Sequence, residues 1–226
     1  MLQAKELFLS VEGTEHEVSA LWLRPKKPKA VFVFGHGAGA GMRHPFMEDV
    51  SLFLHELGVA TLRYHFPYME QGRKRPDHKS TLMLTIRSAV NTARKLAVDI
   101  PLFAGGKSMG GRMTSTAQAE DPLQQVEGLI FLGFPLHKAK EPDSKRAQHL
   151  TDIRIPMLFL QGTRDDLADL SLLAPVVKQL GRRGALAVIE GADHSFSVLR
   201  KSGRTDEEIL NELAVTMSDW IDQTRR

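Results

Sequence analysis

The chain has 226 residues, 42% apolar and 25% charged, an ordinary globular balance that excludes a disordered or fibrous protein. Its 30 Lys and Arg against 27 Asp and Glu leave an excess of +3, too small and too dispersed for a nucleic-acid-binding face. The absence of cysteine excludes disulfides, thiolate metal sites and a thiol nucleophile.

Residues 7–11 and 18–23 read as an antiparallel hairpin turning at Glu12-Gly13-Thr14. Residues 30–34 form a continuous apolar run suited to a strand covered on both faces. Phe46, Val50, Phe53, Leu54 and Leu57 then recur at helical spacing, and Gly58 stops them. A strand over 59–64 follows, then an amphipathic helix marked by Leu82, Ile86, Ala89, Val90, Ala93 and Leu96. Residues 100–104 predict a strand that ends at Gly105-Gly106, before a helix over 109–119. Strands over 126–132 and 157–160 flank a short helix near 144–150. A helix from Leu172 to Leu180 ends at Gly181, and residues 186–189 are the last strand. Thr205-Asp206-Glu207-Glu208 is a capping box for a final helix carrying Ile209, Leu213, Met217, Trp220 and Ile221 on one face.

A hairpin followed by repeated β-α units predicts the α/β class: a mostly parallel sheet with an N-terminal antiparallel hairpin and helices on both faces. No linker divides it, so one domain is expected over residues 1–226. No apolar run is long enough to cross a bilayer, and the first 20 residues lack a signal-peptide pattern. The expectation is a cytoplasmic protein with no membrane and no nucleic-acid partner, its oligomeric state unspecified.

In open parallel sheets ligands bind beyond the carboxyl ends of the strands, so the loops after residues 34, 64, 104, 132, 160 and 189 matter most. One of them holds Gly106-Lys107-Ser108-Met109-Gly110, the pattern G-x-S-x-G between a strand and a helix. A serine there sits on a sharp turn with its hydroxyl lifted clear of the sheet. The overlapping Gly106-Lys107-Ser108 is not a phosphate-binding loop, because the glycine that motif needs is Pro101 here.

A serine needs a base, and the base needs an orienting acid. Asp165 or the adjacent Asp166 follows the strand over 157–160, and His194 follows the last strand, giving the chain order Ser108, Asp165, His194. Asp193 fits a local Asx turn. The small-residue loop Gly35-His36-Gly37-Ala38-Gly39-Ala40-Gly41 would bring backbone donors to the reacting carbonyl, with Ala38 and Met109 as the oxyanion amides and His36 as a brace. The remaining histidines read as structural or surface residues. No metal-ligand spacing such as H-E-x-x-H occurs, so neither metal nor organic cofactor is expected.

These motifs make the chain resemble the α/β-hydrolases. His36-Gly37 matches the oxyanion loop, Gly106 to Gly110 the nucleophile elbow, Gly162-Thr163-Arg164-Asp165 the acid turn and His194 the base. More narrowly it is similar to a small capless group related to the dienelactone hydrolases, which includes a subunit of a chromatin acetyltransferase complex and a testis-expressed protein. The resemblance implies hydrolase chemistry but no substrate; with the serine, histidine and acid in place, the leading expectation is a serine hydrolase of ester or thioester bonds acting on a small-molecule acyl substrate. Two departures stand out: serine replaces the cysteine of dienelactone hydrolases proper, and Asp166-Leu167-Ala168-Asp169 follows the acid where the group often has proline and glycine. A non-catalytic interaction domain and a peptidase are the competing readings.

Residues 135–156 are too few for a cap, so an open site is expected. Cations crowd the same edge, among them Arg43, Arg73, Arg75, Lys107, Lys145, Arg146 and Arg164, and would favour anionic substrates. Arg43, Arg73 and Arg75 are the candidate substrate-binding cations, the alternative being solvated charges paired with their neighbours. Tyr68, in Tyr64-His65-Phe66-Pro67-Tyr68, is a candidate wall of the acyl pocket, although core packing accounts for these aromatics equally well.

Overall fold

A computed structural model describes residues 3–225, so the first two positions and the last of the expected 1–226 span lie outside it. The strands are β1 (Lys5–Ser10), β2 (Glu17–Leu23), β3 (Ala30–Gly35), β4 (Val59–Tyr64), β5 (Leu102–Lys107), β6 (Val126–Leu132), β7 (Met157–Gly162) and β8 (Gly184–Ile189). The helices are α1 (Pro45–Glu56), α2 (Pro67–Glu70), α3 (Lys79–Leu96), α4 (Met109–Glu120), α5 (Leu170–Gln179) and α6 (Asp206–Thr224).

All eight strands form one sheet in the order β1-β2-β4-β3-β5-β6-β7-β8, antiparallel at β1-β2 and β2-β4 and parallel elsewhere. This is the expected mostly parallel sheet with an antiparallel N-terminal hairpin. Period-two alternation sorts its side chains onto two faces. Val31 and Val33 of β3 join Leu129, Phe131 and Phe159 beneath α3 and α4. Phe32 and Phe34 join Ile130, Leu158 and Leu160 beneath α1 and α6, where Ile209, Leu213, Met217 and Ile221 are buried. Both faces of the central strands are covered, which explains their unbroken apolar runs.

Three differences from expectation have physical causes. β5 does not stop at Ala104 but continues through Gly105 and Gly106. A Cβ on Gly105 would fall 1.9 Å from the Ile130 carbonyl oxygen, so here the pair permits close strand packing instead of ending the strand. α2 is too short for a periodic signal; it starts on Pro67, whose missing N–H is harmless at a first helical position. The helix expected near 144–150 is a 3-10 segment, Lys145–Asp152, and it is the regular element between β6 and β7; no cap domain is inserted there.

Candidate active site

β5 runs directly into Ser108, whose backbone (φ 50°, ψ −115°) turns sharply before α4 begins. A positive φ at a residue bearing a Cβ is strained, and such strain persists only where the surroundings enforce it. Here the Ser108 N–H donates to the Leu132 carbonyl at 3.0 Å, and the Arg112 N–H donates to the Ser108 carbonyl at 3.1 Å. Close approach also dictates Gly110, where a Cβ would lie 2.4 Å from the Gly35 carbonyl oxygen.

β7 delivers Asp165, and the loop after β8 delivers His194. The Asp165 side chain is fully buried; its Oδ2 lies 2.7 Å from His194 Nδ1, and His194 Nε2 lies 2.9 Å from Ser108 Oγ. The Leu167 N–H donates to Asp165 Oδ1 at 2.8 Å, and the Gln161 side-chain amide donates to Oδ2. Asp166 is exposed, so it is Asp165 that reaches the imidazole. The loops that carry Asp165 and His194 are tied together. The Thr163 N–H donates to the Ile189 carbonyl (3.1 Å), the Arg164 N–H to the Ala192 carbonyl (2.9 Å), and the Gly191 N–H to Thr163 Oγ1 (2.8 Å). Asp193 forms its Asx turn, accepting from the Ser195 and Ser197 amides at 2.8 and 3.0 Å.

The loop after β3 crosses Ser108 closely enough that a Cβ on Gly37 would lie 3.7 Å from Ser108 Cβ. His36 is fully buried and braces this loop as expected: its Nδ1–H donates to the Gly37 carbonyl at 2.7 Å, and its Nε2 accepts from the Phe66 N–H at 3.1 Å. Burial lowers its pKa to about 4, which keeps the ring neutral. The Tyr68 hydroxyl donates to the Ala38 carbonyl at 2.9 Å, and burial raises the pKa of that phenol. Tyr68 is thus a fully buried support for the loop rather than an open wall. The Ala38 and Met109 N–H groups donate to no protein acceptor among the described residues. Met109 opens α4, whose first amides have no intrahelical partner.

Lys107, expected on the cationic rim, turns inward. Its Nζ donates to the His194 carbonyl at 2.5 Å and lies 5.4 Å and 5.8 Å from the ring centroids of Phe196 and Phe46. Burial lowers its pKa to about 8, against the opposing pull of Asp165 and Asp193. The other candidate cations do not join the serine and histidine. Arg43 pairs with Glu6 and lines a separate cavity with Glu48 and Arg63. Arg73 pairs with Asp77 at 2.5 Å, and Arg75 is exposed without an ion pair among the described residues.

His137 carries a role its sequence context did not signal. It is buried, its Nδ1–H donates to the Lys138 carbonyl at 2.8 Å, and its Nε2 accepts from the Asp169 N–H at 2.9 Å, steadying the segment after Asp165. A second serine–histidine contact joins Ser115 Oγ to His149 Nε2 at 2.8 Å. Ser115 is fully buried and donates its proton to the Arg112 carbonyl at 2.8 Å, so His149 is the donor to it. Among the described residues no three His, Asp or Glu side chains gather to hold a metal ion, and no helix is long and apolar enough to cross a membrane.

A family model described as alpha/beta hydrolase domain matches residues 28–222. Two Mycobacterium tuberculosis proteins carrying a phosphoribosyl transferase name are 26% identical over 203 residues, which is 87% of this chain. This chain spans only 42% of the length of those relatives. Among solved structures, a dienelactone hydrolase from Anabaena variabilis superposes with a TM-score of 0.74 at 21% identity, covering 98% of each chain. A serine hydrolase without a lid from Xanthomonas campestris gives 0.73 at 18% identity, over 97% of this chain and 96% of its own. Est1E from Butyrivibrio proteoclasticus gives 0.72 at 17%, over 96% and 99%. At these identities the likeness is one of fold.

Proposed function

We propose that this chain, which belongs to the alpha/beta hydrolase domain family, is a serine hydrolase that cleaves small-molecule carboxylic esters or thioesters through Ser108, His194 and Asp165. The observation that carries this reading is the unbroken line of hydrogen bonds from a fully buried carboxylate through an imidazole to a serine hydroxyl on a strained turn.

In this mechanism Ser108 Oγ attacks the substrate carbonyl carbon while His194 Nε2 takes the hydroxyl proton. Asp165 holds the ring with Nδ1–H toward itself and stabilises the imidazolium that forms. The tetrahedral oxyanion lies against the N–H groups of Ala38 and Met109, donors that need no reorganisation at the moment of reaction. His194 then gives its proton to the leaving alkoxide or thiolate, and an acyl-Ser108 ester remains. Water, deprotonated by His194, attacks that ester and regenerates the serine. Lys107 pins the His194 carbonyl and so fixes the base loop against the elbow.

A fluorophosphonate probe should label the wild-type protein stoichiometrically and leave Ser108→Ala unlabelled. On a panel of esters, thioesters and peptide amides, Ser108→Ala should lose on the order of 10⁴-fold or more in kcat on the esters and thioesters. Well-folded wild type that neither labels nor turns over any member would overturn the reading in favour of an interaction domain, and amide-selective turnover would make it a peptidase.

A further inference from the structure

Arg112 lies one helical turn beyond Ser108 on α4, about 6 Å along the axis at 1.5 Å per residue. Its guanidinium makes no hydrogen bond or ion pair among the described residues, and its Nε is buried without a partner. Buried donors without acceptors are costly and rare, so each one asks for an explanation. Arg63 also has a buried, unpartnered Nε, but it donates from another nitrogen to the Met42 carbonyl at 3.0 Å. Arg112 has no such outlet.

The space beside Arg112 is a cavity of about 310 Å³ between α4, the start of α3 and the 3-10 segment Lys145–Asp152. Lys79, Arg112, Lys145 and Arg146 line it, opposed by Glu120 and Asp152. Glu120 is committed to Lys79, and Asp152 is exposed. Arg146 donates to the His137 carbonyl at 3.0 Å, which neutralises none of its charge. Two guanidiniums therefore share one cavity, and neither pairs with a carboxylate among the described residues. Burial first, and the neighbouring Arg146 second, lower the pKa of Arg112.

We propose that this cavity binds a phosphomonoester dianion, with Arg112 as its principal donor. Four cations against two carboxylates leave two positive charges, which a dianion balances and a single carboxylate does not. Donors arriving from two separate elements also suit the three terminal oxygens of a phosphate better than one planar carboxylate. Because Arg112 stands in the first turn of the helix that Ser108 caps, the phosphate has two possible sources. It belongs to the acyl substrate itself, or to a separate phosphorylated effector seated beside the site.

The test is an NMR titration of the full chain with inorganic phosphate at constant ionic strength, with chloride as control. Saturable shifts at Arg112, Lys145 and Arg146 are expected, and Arg112→Gln should weaken them about tenfold or more. Arg146→Gln serves as a second variant should Arg112→Gln fold poorly. Shifts that do not saturate, that chloride reproduces, or that both variants leave at wild-type affinity would overturn the proposal. A kinetic arm, which alone rests on the hydrolase reading, identifies the source. A phosphate on the substrate predicts that Arg112→Gln lowers the kcat/KM ratio of a phosphorylated ester to its unphosphorylated counterpart. A separate effector predicts instead an unchanged ratio, with inorganic phosphate altering wild-type turnover of the neutral ester. A protein that binds phosphate at Arg112 yet hydrolyses nothing would refute the hydrolase reading and leave the anion site standing.

Discussion

Among the described residues two serine–histidine contacts have nearly equal length, 2.9 Å at Ser108 and His194 and 2.8 Å at Ser115 and His149, and only the first has the surroundings the proposed mechanism needs. Ser115 lies within α4 and donates its proton to the carbonyl three residues back. His149 has no carboxylate hydrogen-bonded behind it among the described residues, and burial, then Arg112 and Lys79, lower its pKa. Ser108 stands at a positive φ on a turn, and its histidine is gripped on the far side by a buried acid. Distance alone therefore says little about a nucleophile. The direction in which the hydroxyl proton is spent, and the group behind the ring, decide the outcome.

The largest expected effect comes from making the first pair resemble the second. Asp165→Asn keeps the shape but favours the wrong imidazole tautomer, and kcat should fall on the order of 10⁴-fold. Asp166→Asn, at the exposed neighbour, should change kcat little; steady-state kinetics on one ester settles both, and equal losses would reassign the acid. A second effect is read from stability. The folded value of about 4 for His36 lies below the ordinary 6.5, so the unfolded chain takes up a proton that the folded one refuses. Its contribution is complete above about pH 6.5 and drains away as pH falls toward 4, at most about 3 kcal/mol. Urea denaturation should show the advantage of wild type over His36→Asn shrinking across that window; a constant advantage would refute the neutral buried ring.

Smaller again is Gly110→Ala, whose methyl would press on the Gly35 and His36 carbonyls at 2.4 and 2.7 Å. A loss of about 2 kcal/mol is expected in chemical unfolding, with reduced probe labelling as the strained turn relaxes. The mildest is Ser115→Ala, which removes the hydrogen bonds to the Arg112 carbonyl and from His149, costs about 1 kcal/mol and leaves probe labelling at Ser108. Labelling lost with Ser115 would reverse the assignment of the two pairs.

The chain order of Ser108, Asp165 and His194 was legible because each follows an apolar strand, and the strands of a parallel sheet place their ends together. Choosing Asp165 over Asp166 was not, since that depends on which carboxylate the turn after Gly162 buries. Gly105-Gly106 misled the strand boundary because glycine signals both chain breaks and close packing, and only the neighbouring Ile130 carbonyl tells them apart. The cations were the least legible. Lys107 looks like a surface residue until Phe46 and Phe196, far away in sequence, close over it. Arg43 and Arg73 look free until Glu6 and Asp77 arrive as partners. Arg112 looked unremarkable on its helix, because the cavity beside it is completed by the segment after β6.

β8 has a single neighbour in the sheet, four of its six residues are only partly buried, and Val188 is 45% exposed. Yet this outermost strand suspends the loop that holds His194, the proposed general base, whereas Ser108 rises from a central one. Peripheral strands fray first on warming. Gentle heat should thus disarm the protein before its circular dichroism reports melting, and cooling should bring turnover back without any refolding lag.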